Sequence, residues 1–235
     1  MSTREPGNER TILTHAVVIG LTALIPLPIV DDMVKSYFEK RLVRKLAESH
    51  GRVLPDGDVD VLSEDRSGGG CLGCVLGALA YPILKLLRKV AFFLELKRSV
   101  DTVSKTAHRA YLVDHALRMG WLAPEGRHAA PFVRSAIEHV MKETNVGPVE
   151  MATRQTFRQS RKALFGAATV LWKSVAGLTR ASKPDEVSAV LEPLAAEEGK
   201  RIEGVVESLQ RHIEAIPAEH FERLKARLGA MLGEG

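Results

Sequence analysis

The first pattern along the chain is an absence of charge. From Thr11 to Val30 twenty residues carry none (TILTHAVVIGLTALIPLPIV), close to the ~20 that a membrane-spanning helix needs. Thr11, Thr14, His15 and Thr22 dilute the run, and Pro26 and Pro28 remove two amide donors and bias the residues before them away from helix. The pattern predicts a helix to about Leu24 and then a kink. Ile29, Met33 and Tyr37 next share a row beside Val30, Val34 and Phe38, with Leu42 and Leu46 continuing the face, which is the period of an amphipathic helix. Asp31 and Asp32 fall in its first turn, where amide dipoles favour anions, and Gly51 stops it.

Residues 51–70 hold one Pro, five Gly, four Asp and one Glu with only a short Val-x-Val stretch, and read as an acidic loop. A second uncharged run covers 67–84, with Pro82 near its end and Lys85, Arg88 and Lys89 after it. Leu86, Val90, Phe93, Leu96, Val100, Val103, Ala107 and Ala110 then mark one face of a helix reaching Met119, on which Asp101 with Lys105 and Asp114 with Arg118 have the i, i+4 spacing of ion pairs. After a Gly/Pro/His linker at 120–130, Pro131 opens a helix to Lys142 with an expected buried row of Phe132, Ala136, Ile137, Val140 and Met141.

A long helix is expected from Gly147-Pro148 to about Arg180, buried through Phe157, Leu164, Ala168, Leu171 and Val175. Shorter helices follow near 185–198, 200–215 (Ile202, Val205, Val206, Leu209, Ile213, Ile216) and 218–232 (Phe221, Leu224, Leu228, Met231). No strand, hairpin or fixed repeat is apparent. The expected fold is therefore an all-α multi-helix bundle: a module at 1–120 with apolar, Gly/Ala-rich central helices, and an amphipathic module at 121–235, which together can form one domain.

Composition agrees. Of 235 residues 45% are apolar and 26% charged, which excludes a disordered chain and a collagen. Two cysteines suit a reducing compartment rather than a disulfide scaffold. The opening ten residues are polar, and no secretory signal is read there.

Chemistry is sparse. Cys71-Leu-Gly-Cys74 has the CxxC form without a second pair or a strand context; small residues for close helix packing is the first reading, beside acylation near a membrane and redox pairing. His108 and His115, seven residues apart, lie about 10 Å apart along a helix axis, too far to share a metal ion. Neighbours on a helix diverge by about 100°, so neither Asp114 with His115 nor Asp31 with Asp32 reads as an acid–base pair. The phosphate-loop, dinucleotide, HExxH and GxSxG signatures are missing. No catalytic residue, metal ligand or cofactor is expected.

Charge placement is more informative. Residues 121–183 carry ten Lys/Arg against four Glu, and 184–235 six against eleven acids. Arg154, Arg158, Arg161 and Lys162 fall on one side of a helix, about a quarter-turn from its apolar row, an arrangement suited to anionic headgroups and also to an ordinary core helix. No aromatic interleaving or helix-turn-helix signature supports nucleic-acid binding. If both uncharged runs spanned a bilayer, residues 1–10 and 85–98 would carry two and five Lys/Arg on one side, against seven in 31–66, and charge would choose no orientation. Buried or reversibly inserted helices are the better expectation, with Leu21, Leu24 and Ile25 in the first run and Leu72 and Leu76 in the second as candidate membrane or partner contacts.

The stretch LIPLPIVDDMVKSYFEKRLVRKLAESHG resembles the start of the YcjF-like helical domain found behind some bacterial GTPase domains. Its Ile-Pro-x-Pro turn corresponds to Ile25, Pro26, Leu27 and Pro28, its acid to Asp31 and its helix end to His50-Gly51, with a Gly-rich apolar segment after. The similarity runs over about residues 20–95; the acidic insert at 51–66 and the absence of a GTPase domain depart from it. The resemblance implies a membrane-associated, partner-binding module and assigns no catalytic residue. The expected function is a non-enzymatic, cytoplasmic, membrane-associated scaffold or adaptor, whose partners are a membrane surface or membrane protein, a further protein, or a second copy. The alternative is a soluble bundle enclosing a small apolar ligand or a partner helix.

Overall fold

The computed structural model describes residues 7–24, 28–63, 88–122, 128–179 and 182–233, with the side chains of 28–31, 88–94, 196 and 198 set aside. These residues form ten helices and no strand: α1 (Glu9–Thr22), α2 (Pro28–Ser49), α3 (Asp56–Ser63), α4 (Arg88–Arg118), α5 (Ala130–Glu143), α6 (Gly147–Gln159), α7 (Arg161–Val175), α8 (Pro184–Arg201), α9 (Glu203–Glu214) and α10 (Ala218–Met231). The all-α expectation is met. Ile25, Pro26, Leu72, Leu76, Cys71, Cys74 and the whole run 67–84 lie outside the described residues.

α1 is apolar on nearly all sides, and a helix of that kind must be surrounded by others. Ile12, Leu13, Ala16, Val17, Val18, Ile19 and Leu21 are all buried, and α2, α4, α7, α8 and α9 each pack against it. Two of its polar side chains are satisfied within the helix, Thr22 Oγ1 donating to Ile19 O (2.8 Å) and His15 Nδ1 to Thr11 O (2.9 Å). Fourteen residues span about 21 Å, short of a hydrocarbon layer of about 30 Å; among the described residues no helix is long and apolar enough to cross a membrane.

α4 is the second axis, 31 residues or about 46 Å long, touching α1, α2, α5, α6 and α10. Where it meets α1 the backbones approach closely at Gly20, whose carbonyl accepts the Ser99 hydroxyl at 2.6 Å. α2 buries Val34, Phe38, Leu42 and Leu46 and ends before Gly51, which takes φ +66°; Gly120, at φ +80°, likewise follows α4. Both stops are those the sequence predicts, since a left-handed φ favours glycine. Pro28 is the first residue of α2 and Asp31 the fourth.

Four expectations are corrected. Within the predicted acidic loop 51–70, residues 56–63 form α3: Asp56 and Asp58 occupy its first turn, and Val59 and Leu62 are buried one turn apart. Ion pairs Lys40–Asp60 (2.8 Å) and Arg44–Asp56 (2.9 Å) tie it to α2. The single helix expected from 148 to 180 is two, separated at Ser160 (φ −99°, ψ 19°). Thr153 and Thr156 donate their hydroxyls to the carbonyls of Val149 and Ala152, a back-bonding that bends helices; the predicted apolar row is nonetheless buried throughout. Phe132, expected inside, is 52% exposed at the start of α5, its ring beside His128 (5.3 Å), and Val133 takes the core position. Met231 is 40% exposed while Leu232 turns inward, because the last helical turn ends there.

Candidate functional site

The four predicted cations are all exposed. The break at Ser160 places Arg154 and Arg158 on α6 and Arg161 and Lys162 on α7. Arg154 pairs with Glu150, and the Arg161 guanidinium lies 6.0 Å from the Phe165 ring centroid, at the outer range of a cation–π contact. Met151, on the same outer face of α6, is 69% exposed. The 34 residues from Met151 to Pro184 contain seven Lys/Arg and no Asp or Glu. Across from α6, burial raises the pKa of the Asp101 carboxyl on α4 and nearby Glu150 adds to it, with Lys97, Lys105 and Arg154 opposing. Beside it, an open groove of about 660 Å³ runs between α6 and the end of α9, lined by Met151, Arg154, Arg158, His212, Ala215 and Ile216 among others.

The apolar contact candidates are placed differently. Leu21 is fully enclosed and Leu24 half-buried against the core. In this fold Leu21 serves the protein interior, because α1 is surrounded by five other helices.

Two polar constellations that sequence spacing did not show appear in the fold. In the first, Asp114 on α4 meets the end of α2: its Oδ1 accepts His50 Nε2 at 2.8 Å and Asn8 Nδ2 at 2.6 Å. Asn8 also donates to Ser49 Oγ (2.7 Å). Asn8 is the N-cap residue of α1, yet its side chain makes no cap bond. A residue type favoured at that position for binding its own helix is instead committed to another. The predicted pairing of Asp114 with Arg118 is not formed; Arg118 donates to His115 Nδ1 at 3.0 Å. These groups border a notch of about 300 Å³, walled on the other side by Tyr111 and Phe221.

In the second, His108 and His220 meet between α4 and α10, Nε2 to Nε2 at 3.1 Å, both buried. His108 Nδ1 donates to Ser104 O (2.7 Å), which leaves its Nε2 as an acceptor for the His220 N–H. Burial, with His220 nearby, pushes the His108 pKa down to about 4 against the opposing Ser104 hydrogen bond. His15 is likewise lowered to about 4 by burial, aided by Lys45 and Arg41. Both imidazoles are neutral in the folded protein near pH 7. Among the described residues no group of three or more His, Cys, Asp or Glu converges to hold a metal ion.

No family model, no curated protein and no solved structure matches this chain.

Proposed function

We propose that this chain is a non-enzymatic scaffold or adaptor that rests on an anionic, cytoplasm-facing membrane surface through the outer side of α6 and α7. The observation that carries the reading is the acid-free, seven-cation stretch 151–184, five of whose cations stand on α6 and α7, with Met151 exposed among the arginines. Guanidinium and ammonium groups meet phosphate headgroups while methionine and the partly buried Trp172 offer apolar contact at the acyl boundary. The uncharged run 67–84 supports the same reading as a further apolar contact. Residues 184–235, which hold α8–α10, carry six Lys/Arg against eleven acids and contain no comparable acid-free cationic run.

Co-sedimentation of the full chain with vesicles tests this. Binding is expected to phosphatidylcholine vesicles containing phosphatidylglycerol, not to phosphatidylcholine alone, and to weaken with added salt. Each cation near an anionic surface contributes about 1 kcal/mol, so replacing Arg154, Arg158, Arg161 and Lys162 together by Gln is expected to weaken binding by about a hundred- to a thousandfold. Recovery of the wild-type chain in the supernatant with both lipids would set the membrane reading aside and favour a partner helix in the groove between α6 and α9.

A further inference from the structure

The groove between α6 and the end of α9 holds a donor and an acceptor that the fold leaves open. Met151, Arg154 and Arg158 recur at i, i+3 and i+7 and so share one face of α6; all three are exposed and line the groove. Glu150 takes up the charge of Arg154. Arg158 is different, for among the described residues no carboxylate, ring or hydrogen-bond acceptor engages it. His212 comes from the α9 side. Its Nδ1 lies 2.8 Å from Thr156 Oγ1, and that hydroxyl gives its single proton to Ala152 O at 2.9 Å. Nδ1 is therefore the donor, which makes Nε2 of the neutral ring an acceptor; among the described residues nothing hydrogen-bonds it.

The surrounding charges are engaged elsewhere. No Asp or Glu lines the groove. On α9, Glu214 accepts from Gln210 at 3.1 Å and Arg211 donates to the Glu207 carbonyl, while Asp101 on α4 is countered by Lys97, Lys105 and Arg154. The remaining wall is apolar, with Ala152 and Ile216 at its base (6% and 8% exposed) and Met151 at its rim. The volume, about 660 Å³, is that of an ordinary ligand cleft.

A ligand matched to this wall has an anionic head that accepts from a guanidinium and brings a proton for Nε2, with hydrocarbon behind it. A phosphate monoester does both. Two of its oxygens take the Arg158 fork, and with a second pKa of about 6 it shares one proton with an imidazole near neutral pH. A phosphodiester has no such proton and would set an oxygen lone pair against that of Nε2. Arg154, Arg158 and Met151 belong at once to the groove and to the face assigned above to a membrane surface, which brings a lipid headgroup rather than a soluble phosphate to the site.

We propose that the groove binds a phospholipid whose headgroup is a phosphate monoester, as in phosphatidic acid, with the phosphate between Arg158 and His212 and the start of the apolar tail along Met151, Ala215 and Ile216. The assignment rests on the membrane reading and adds a choice of lipid to it.

Co-sedimentation of the full chain with two sets of vesicles separates the two. Phosphatidylcholine is mixed with phosphatidylglycerol, a diester, or with phosphatidic acid, at contents that give equal zeta potential at neutral pH. The wild-type chain is expected to bind phosphatidic acid at least about tenfold more tightly, the worth of one charged hydrogen bond. His212→Asn keeps a donor for Thr156 but loses Nε2, and is expected to bring the two lipids level. Arg158→Gln, at an exposed position, is expected to fold and to narrow the preference as well, so it carries the test should the His212 variant not fold. Equal binding of both lipids by the wild-type chain would overturn the assignment and leave the membrane reading standing. A preference intact in both variants would overturn it too, and binding to neither lipid would remove both readings.

Discussion

Replacing Gly20 by valine is expected to destabilise the protein by about 3–5 kcal/mol, the upper range for forcing side-chain volume into a packed interior. A Cβ at Gly20 would sit 2.3 Å from Val103 Cγ2 and 3.2 Å from the Ser99 carbonyl oxygen. The Val103 methyl is able to rotate; the Ser99 carbonyl belongs to the backbone of α4. To accept the new side chain α1 and α4 must separate, which also lengthens the 2.6 Å hydrogen bond from Ser99 Oγ to Gly20 O. Alanine here gains about 1 kcal/mol of helix propensity and still meets Val103. Urea denaturation reads the effect as a midpoint lowered by more than about 1 M, for slopes of about 2–3 kcal/mol per M. The combination Gly20→Ala with Val103→Ala is expected to cost less than the sum of the two single changes, since removing the Val103 methyls opens the space the new Cβ needs. Strict additivity would mean that α1 and α4 do not meet as described.

Acid is expected to unfold the chain through its buried imidazoles. His15 and His108 are lowered to about 4 in the folded protein, against about 6.5 in an unfolded chain. Above pH 6.5 neither state binds the proton and stability is level. Between pH 6.5 and 4 the unfolded chain takes up protons that the folded one refuses, so stability falls as pH falls. Below about 4 both states are protonated and the slope from these groups vanishes. Each histidine accounts for about 3 kcal/mol across that window, and both together are comparable with the whole stability of an ordinary domain. Denaturation curves from pH 7 to 4.5 are expected to show a steep loss, and His108→Gln or His15→Gln to remove about one proton from the slope each. An unchanged slope in both variants would locate acid sensitivity elsewhere.

Much of the fold was legible in the sequence because it rests on local periodicity. The apolar encirclement of α1, the row Val34, Phe38, Leu42 and Leu46, the stripe from Ile202 to Ile216 and the glycine stops at Gly51 and Gly120 are all signals within one or two helical turns. The exposure of Arg154, Arg158, Arg161 and Lys162 was legible for the same reason. Short or interrupted elements were harder: α3 has only two apolar turns to announce it, and the break at Ser160 leaves the apolar period intact. The polar notch was not legible at all. His50 lies 64 residues from Asp114 and His108 lies 112 from His220, and no spacing rule joins positions so distant. Asn8 carried a misleading signal, for its residue type and place mark a helix cap and its side chain serves Asp114 instead. On α4, Asp114 was legible as a partner for Arg118, and only the arrival of α1 and α2 shows that Asn8 and His50 hold it instead.

The position of α1 sets an order of events during synthesis. It precedes every helix that encloses it, and three of those, α7, α8 and α9, begin only after residue 160. While the ribosome works through those residues, Leu13, Val17 and Ile19 have emerged without the surfaces that will cover them. Among the described helices the most apolar one is thus made before those that shield it, which makes the half-finished chain a client for chaperones and exposes it to aggregation in a way the completed molecule is not.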